Sequence, residues 1–421
     1  EGINFHKIMK QLTQCTKCLY TSEHPLGLTF NEDGVCSGCE VHEEKNSLDW
    51  GFRLDLLKKL TAQYKTHGKS YDCIIPVTGG NDSHFIVHIV KNILKLEPLL
   101  VSYNKYFNTP LGIRNLANLR IKFDCDIITQ NVNPHSVKKI TKQTLRKYGS
   151  IYWPCLAGHS VFPVQTAVNY KIPLIIWGAH QGLEQVGMFS HLHEVEMTRR
   201  YRKDHDLFGV EADDLLDEFN TLSEEDIWQF RYPDDSILHA NGVKGIYLGN
   251  YIRWDPKAQH EKMIKMYDYK TSKFNRTFDT YDHVDCYNFM DLHDHIKFLK
   301  HGYSKVTDHA CREIRHKRLS KDIAIKLVKK YENKALLHPD KFSEWIGIDK
   351  GGIEFILNQH RNKNVWDEIE PNIFSRKILK FKDIHPATAT QQGKNINFIQ
   401  NSSMQQQMED RYITIGKGYP L

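Results

Sequence analysis

No stretch of this 421-residue chain reads G-x-x-x-x-G-K-[S/T], and none reads G-x-G-x-x-G, so the two commonest glycine-rich phosphate cradles are missing. Long apolar runs are missing too: none approaches the roughly 18 residues that cross a bilayer. The longest, such as IPLIIWG at 172–178, have the length of buried strands. The opening EGINFHKIMK carries no apolar signal-peptide core. Nine cysteines is an odd count for a disulfide framework. Both features are those expected of a cytoplasmic protein with no membrane association. Strong charge of one sign is absent as well, with a net charge of only +6. The basic clusters are short: Arg199, Arg200, Arg202 and Lys203, then Arg312, Arg315, Lys317 and Arg318. They read either as solvated faces or as contacts to an anionic ligand, and a balance this weak does not call for nucleic acid.

What is present is a strand–helix alternation. The segment 53–65 has the apolar spacing of an amphipathic helix, and from Tyr71 onward CIIPV, PLLVSY, CDIITQNV, IPLIIWG and VKGIYLGNY read as strands. Helical patterns separate them: one beginning near Asn81, then 110–122, 134–148 and a segment after Pro163. Strands spaced this way make parallel βαβ units in a covered sheet, so the expected class is α/β with a doubly wound parallel sheet. A segment of 421 residues exceeds one ordinary core, and the expected division is 1–50, 51–255 with a charged helical insertion at about 190–240, a mostly helical 256–385, and a polar tail, 386–421.

The first strand ends in IIPVTGGNDSHFIVHIV, residues 74–90. Two glycines stand between a buried strand and a helix start, at the edge where open parallel sheets bind ligands. Bare backbone there admits an anion, and the first turn of the helix adds N–H groups that lack intrahelical partners. The plainer alternative is an ordinary βα turn with an Asp cap. Gly178 ends another strand at the same edge, making Trp177, His180 and Glu184 candidates for substrate or metal contact; for His180 the alternative is a solvated loop histidine.

Cysteines 15, 18, 36 and 39 form two C-x2-C knuckles seventeen residues apart. That spacing fits four thiolates on a structural Zn²⁺, with an iron–sulfur cluster or free thiols as the alternatives. Trp153, Cys155 and His159 allow a Cys–His nucleophile only if their stretch is helical; lining a substrate or ammonia pocket is the other reading. In TDHACREIRHKR, Asp308 and Arg312 stand at i, i+4 and either pair on the surface or leave Arg312 and Arg315 free for an anionic substrate.

The stretch Val77-Thr78-Gly79-Gly80-Asn81-Asp82-Ser83 resembles the Ser-Gly-Gly-x-Asp-Ser signature of PP-loop pyrophosphatases, with Thr78 in place of Ser and Asn81 where Lys is frequent. The order of the cysteine knuckles, this loop, PLLVSYNKYFNTPLGIRNLANL, YWPCLAGHSVFPVQTAV, IPLIIWGAHQGLEQVGMFSH, VKGIYLGNYIRWD and FLKHGYSKVTDHACREIRHKRLS is similar to that of the N-acetyl sugar amidotransferases of surface-glycan biosynthesis, over residues 12–380. The resemblance implies a PP-loop adenine-nucleotide-hydrolase-like fold with an N-terminal zinc knuckle and a C-terminal helical region. It implies ATP cleaved to AMP and pyrophosphate, with adenylation of an acetamido carbonyl and displacement by ammonia to give an acetamidino sugar, on mannuronic, pseudaminic or legionaminic acid skeletons. Under it, Thr78, Gly79, Gly80, Asn81, Asp82 and Ser83 hold the pyrophosphate, Asp82 and Ser83 act in catalysis with His180 and Glu184, and Asp82 helps with Mg²⁺. Ser102, Tyr103 and Gly178 contact the nucleotide, and Trp153, Cys155, His159, Arg312 and Arg315 the substrate. No glutaminase signature is visible, so a separate glutamine amidotransferase, or free ammonium in vitro, is expected as the ammonia source. Two rivals stay open: a tRNA-thiolating PP-loop enzyme, and a non-catalytic zinc-knuckle scaffold.

Overall fold

The computed structural model describes residues 13–193, 196–199, 202–216, 221–377 and 385–386. The polar tail beyond 386, and a part of the charged stretch at 190–240, lie outside the described residues.

The chain opens with the cysteine segment, which ends in helix α1 (Ser37–Glu44), followed by α2 (Trp50–Ala62), whose first turn is capped by the Asp49 carboxylate. Five strands then alternate with helices. They are β1 (Cys73–Pro76), α3 (Asn81–His88), β2 (Pro98–Tyr103), α4 (Pro110–Phe123), β3 (Ile127–Gln130), α5 (Pro134–Tyr148), α6 (Trp153–Tyr170), β4 (Leu174–Trp177) and β5 (Lys244–Tyr247). Helices α4 and α5 start where the sequence signals it: Thr109 and Asn133 accept from the first-turn N–H groups, each followed by proline at the first helical position. All pairings are parallel, in the order β3-β2-β1-β4-β5. The chain adds β2 and β3 on one side of β1, then crosses to add β4 and β5 on the other. The carboxyl ends of β1 and β4 are therefore the topological switch point, where ligands of open α/β sheets lie.

Both faces of the sheet are covered. Ile75, Leu100, Leu174 and Ile176 pack with Val87 and Val90 on one side, and Ile74, Leu99, Val101 and Ile175 pack with Val161, Val164 and Ala167 of α6 on the other. Every strand residue from Pro98 to Tyr103 is buried, as the unbroken apolar run of a doubly covered strand requires.

Two expectations need correction. Helix α6 does not begin after Pro163; it starts ten residues earlier, and Pro163 sits inside it. The proline removes one intrahelical bond, but the buried face Ala157, Val161, Val164 and Ala167 holds the helix on the sheet through that position. The described part of 190–240, expected as a helical insertion, is a series of short helical segments, the longest being Asp235–Ala240.

Beyond β5 come α7 (Pro256–Tyr267), α8 (Leu292–His301), α9 (Lys305–Arg315), α10 (Lys321–Tyr331), α11 (Pro339–Ile346) and α12 (Lys350–Gln359), then a hairpin of β6 (Trp366–Glu370) and β7 (Ile373–Arg376). The hydrophobic clusters run across the boundaries drawn from sequence. The cysteine segment shares one core with Leu183, Val186 and Phe189 after β4 and with Val306, Ala310 and Val328 of α9 and α10. Tyr269, Tyr281 and Val284, which follow α7, pack into the core beside β1 and α3. Among the described residues, no helix is long and apolar enough to cross a membrane.

Candidate active site

Residues 77–83 leave β1 and turn directly into α3. Gly79 has φ +82°, and a Cβ there would stand 2.9 Å from the Leu116 Cβ of α4, so both the backbone conformation and the close helix demand glycine. Two hydroxyls brace the turn from within. The Thr78 N–H donates to Ser83 Oγ at 3.0 Å, and the Gly80 N–H donates to Thr78 Oγ1 at 3.2 Å. Gly80 caps α3 without a side chain, so nothing of its own covers the helix end. The Thr78 substitution keeps the hydroxyl that does this bracing.

Beside the turn a cleft of about 330 Å³ opens between β2, β3 and α4, lined among others by Thr78, Ser102, Tyr103, Lys105, Gly112 and Leu116. Ser102 and Tyr103 thus lie on the same cleft as Thr78. Lys105 is buried and paired with Asp285. Gly158 lets α6 press onto Tyr103; a Cβ there would stand 2.3 Å from the phenol ring.

The other side of the turn is crowded with charge. Burial, with the Asp282 carboxylate next in importance and Glu184 adding to it, pushes the Asp82 carboxyl up to about 7, against the opposing pull of Arg312. Asp82, Glu184, Asp282 and Arg312 are therefore electrostatic neighbours, although they come from α3, the segment after β4, the loop after α7, and α9. Arg312 forks between two carboxylates, at 2.5 Å from Asp279 and 3.0 Å from Asp282, and its guanidinium lies 5.1 Å from the Tyr281 ring. His309 Nε2 is 3.3 Å from Asp282, and its Nδ1 is 2.7 Å from the Thr277 hydroxyl. Ligand atoms of Asp279, Asp282 and His309 all lie within 4.8 Å of one another. Glu184 Oε2 accepts from Lys45 Nζ at 2.5 Å, while its Oε1 is buried without a partner among the described residues.

Lys45 follows α1, so the cysteine knuckle is what places it. Cys15, Cys18, Cys36 and Cys39 are buried with their sulfurs within 4.8 Å of one another, and the Cys18 and Cys36 sulfurs are 3.7 Å apart. Zn–S bonds of about 2.3 Å in a tetrahedron put sulfurs about 3.8 Å apart, so the donor set fits zinc. Backbone N–H groups of Cys18 and Cys36 point at the Cys15 sulfur, at 3.4 and 3.2 Å, as donors to a thiolate do. Glycines seal the contact with the segment carrying Glu184: a Cβ on Gly38 would meet the Gln185 carbonyl at 2.6 Å, and one on Gly187 the Ser37 carbonyl at 2.3 Å.

Residues 268–380, which supply Asp279, Asp282, His309 and Arg312, match the family described as LPS biosynthesis protein WbpG-like, C-terminal domain. An uncharacterized protein of Methanocaldococcus jannaschii is 24% identical over 122 residues, 28% of this chain. The chain thereby spans 42% of the length of that curated relative. Among solved structures, NMN synthetase from Francisella tularensis aligns over 52% of this chain and 96% of its own, at 12% identity and a TM-score of 0.27, a likeness too low to bear on function.

The remaining candidates fall into three groups. Arg315 does not face an open substrate site. Its Nε and Nη2 reach the sulfurs of Cys39 and Cys36 at 3.4 and 3.6 Å, and its Nη1 donates to the Glu184 and Gln185 carbonyls, so every nitrogen is occupied by the knuckle and its neighbour. Asp308 does not pair with Arg312 either; it holds Lys297, Tyr20 and Gln185. The second group is packed into the core. Trp153 donates its indole N–H to the Val210 carbonyl at 2.9 Å and is buried. Gly178 gives way to Ile86 and Trp254, whose nearest atoms stand 2.9 and 3.2 Å from where a Cβ would be. Cys155 and His159 are on one helix, as a Cys–His pair requires, but burial pushes the Cys155 thiol far up and the His159 imidazolium far down, which suits neither a nucleophile nor its charged partner. The third is His180, whose titratable neighbours are His205, Asp206 and Arg202 rather than Asp82, and whose ring is 4.6 Å from that of Tyr247.

Asp279, Asp282 and Lys45 were not singled out in the sequence. FDTYDHVD carries neither helical nor strand periodicity, and its repeated aspartates were the one available signal.

Proposed function

We propose that this protein is an ATP-dependent amidotransferase that converts the acetamido group of an N-acetyl sugar into an acetamidine for a surface glycan. The observation that carries the reading is the meeting, at one glycine turn, of a cleft lined by Thr78, Ser102 and Tyr103 with a charged group of Asp82, Glu184, Asp282 and Arg312. The match of residues 268–380 to a lipopolysaccharide-biosynthesis family gives the glycan context.

In this reading the nucleotide base occupies the cleft, and the turn's N–H groups and the α3 terminus receive the β and γ phosphates. The acetamido oxygen attacks the α-phosphorus, pyrophosphate departs, and the carbon becomes an activated imidate. Ammonia adds to that carbon and AMP leaves with the former carbonyl oxygen, so one hard displacement becomes two easier ones. Arg312, already beside the turn, offsets charge that builds on the phosphates. Mg²⁺ suits the oxygen donors of Asp82 and Glu184 Oε1, and when bound it would neutralise phosphate charge. Zn²⁺ in the four-cysteine knuckle is structural, because four thiolates leave no position open. In this reading the ammonia comes from glutamine hydrolysed by a separate glutamine amidotransferase, or from free ammonium in vitro. The reaction belongs in the cytoplasm, where ATP is made available.

The test is incubation of the purified protein with ATP, Mg²⁺, ammonium and a panel of acetamido sugars. The expected product is about 1 Da lighter than its substrate, the mass of an O-to-NH exchange, with stoichiometric AMP and pyrophosphate. Sugar-independent ATP hydrolysis, or no pyrophosphate with any acetamido sugar, overturns the reading.

A further inference from the structure

A second polar cluster lies on the same edge of the sheet, on the far side of β1 from the cleft. Trp177 ends β4 and Tyr247 ends β5, and their side chains share the sheet face that α6 covers. Arg202 stacks on Trp177. Its side chain is only 8% exposed, and its guanidinium carbon stands 3.8 Å from the centre of the Trp177 ring. One nitrogen, Nη1, is spent on Asp206. The other two, Nε and Nη2, are buried with no acceptor among the described residues.

The same deficit recurs around it. The hydroxyls of Tyr232 and Tyr247, both electrostatic neighbours of Arg202, are buried without a partner among the described residues, and so is the Trp177 indole N–H. Five buried polar atoms on or beside Arg202 thus have no partner among the described residues. The Asp206 carboxylate cannot serve them, because Oδ2 takes Arg202 and Oδ1 lies 2.7 Å from His205 Nδ1. A buried donor left without an acceptor is destabilising, so a cluster of them is expected only where something else supplies acceptors. The group that fits is a planar or tetrahedral oxyanion, since Arg Nε and Nη2 form the fork that carboxylate and phosphate oxygens match. Asp206, 22% exposed, marks where the cluster meets solvent.

We propose that Arg202, with the hydroxyls of Tyr232 and Tyr247 and the indole N–H of Trp177, binds a carboxylate or phosphate group of the acceptor substrate. This rests on the amidotransferase reading for the word acceptor. It sets the anionic handle of the substrate beside β4 and β5, the nucleotide beside β1 and β2, and the turn at residues 78–83 between them. The guanidinium expected to read an acidic substrate is then Arg202, while Arg315 serves the knuckle.

The test is calorimetric binding in the absence of ATP, which does not depend on turnover. The probes are N-acetylneuraminic acid (a carboxylate), N-acetylglucosamine 1-phosphate (a phosphate) and neutral N-acetylglucosamine. One of the two anions is expected to bind at least about tenfold tighter than the neutral sugar, and which one identifies the oxyanion. Arg202→Gln should erase that preference, and Tyr247→Phe, which keeps the ring and removes only the hydroxyl, should weaken it about threefold to tenfold. ATP affinity should change less than about twofold in both. Equal binding of all three probes, or an anion preference untouched in both variants, overturns the proposal. Failure to form an amidine while the anion preference holds would instead count against the amidotransferase reading alone.

Discussion

Asp82→Asn should give a protein that is more stable and inactive, and the gain should depend on pH in a direction fixed by the site. Burial, then the Asp282 and Glu184 carboxylates, hold the Asp82 carboxyl at about 7 instead of its ordinary 3.8. Between those two values the folded protein keeps a proton that the unfolded chain has released. Stability contributed by this group therefore falls as pH rises from about 4 to about 7 and is level above that. At about 1.4 kcal/mol per pH unit the full loss is at most about 4 kcal/mol, and about 2–4 is expected, because Asp82 is not wholly shielded from water. Asparagine carries no charge and escapes the loss. Urea unfolding followed by circular dichroism, without added Mg²⁺, should find the variant ahead of wild type by about 2–4 kcal/mol at pH 8, and by about 2 kcal/mol less at pH 5. The quantity to compare is the difference between the two proteins, since histidines such as His84 and His283, which burial holds down at about 4 and about 3, titrate equally in both and tilt the curve the other way. A difference that does not change with pH, or a variant less stable than wild type at pH 8, would show that Asp82 is not crowded by Asp282 and Glu184, and the site as described would fall.

Three further perturbations test separate parts of the molecule. Removing zinc with a strong chelator, or replacing Cys36 with Ser, should loosen the 13–45 segment and abolish activity together, because α1 places Lys45 on Glu184; hydrogen exchange and metal analysis, with one zinc per chain expected, check this. Lys45→Met alone should cost about 3–5 kcal/mol by leaving Glu184 buried and unpaired, and the double change Lys45→Met with Glu184→Gln should recover part of it, which a double-mutant cycle in urea measures. Gly79→Ala should destabilise by about 1–3 kcal/mol, since φ is +82° and the new methyl lands 2.9 Å from Leu116, and pyrophosphate release should be lost with it; a folded, fully active variant would remove the turn from the mechanism.

Much of the frame was legible along the chain, because it is set by local chemistry. Apolar runs of strand length, separated by helices with Thr109-Pro110 and Asn133-Pro134 starts, define the parallel sheet and its covered faces. The glycine pair at 79–80 and the two cysteine knuckles declare themselves by spacing, since a backbone with φ near +80° and four converging sulfurs leave few other choices of residue. What the tertiary structure alone decided is which side chains meet. Asp82 owes its raised pKa first to burial and then to Asp282 and Glu184, which stand 200 and 102 residues further on and which no periodicity links to it. Arg312 and Arg315 stand three residues apart on α9, yet the helix turns one toward the charged turn and the other into the knuckle sulfurs. Arg202 belonged to a basic cluster that read either as a solvated face or as an anion contact, and the fold buries its side chain over Trp177, which excludes the solvated face. Charge and hydrogen bonding act over a few ångströms in space, and the crossing that puts β4 and β5 beside β1 is what makes those distances short.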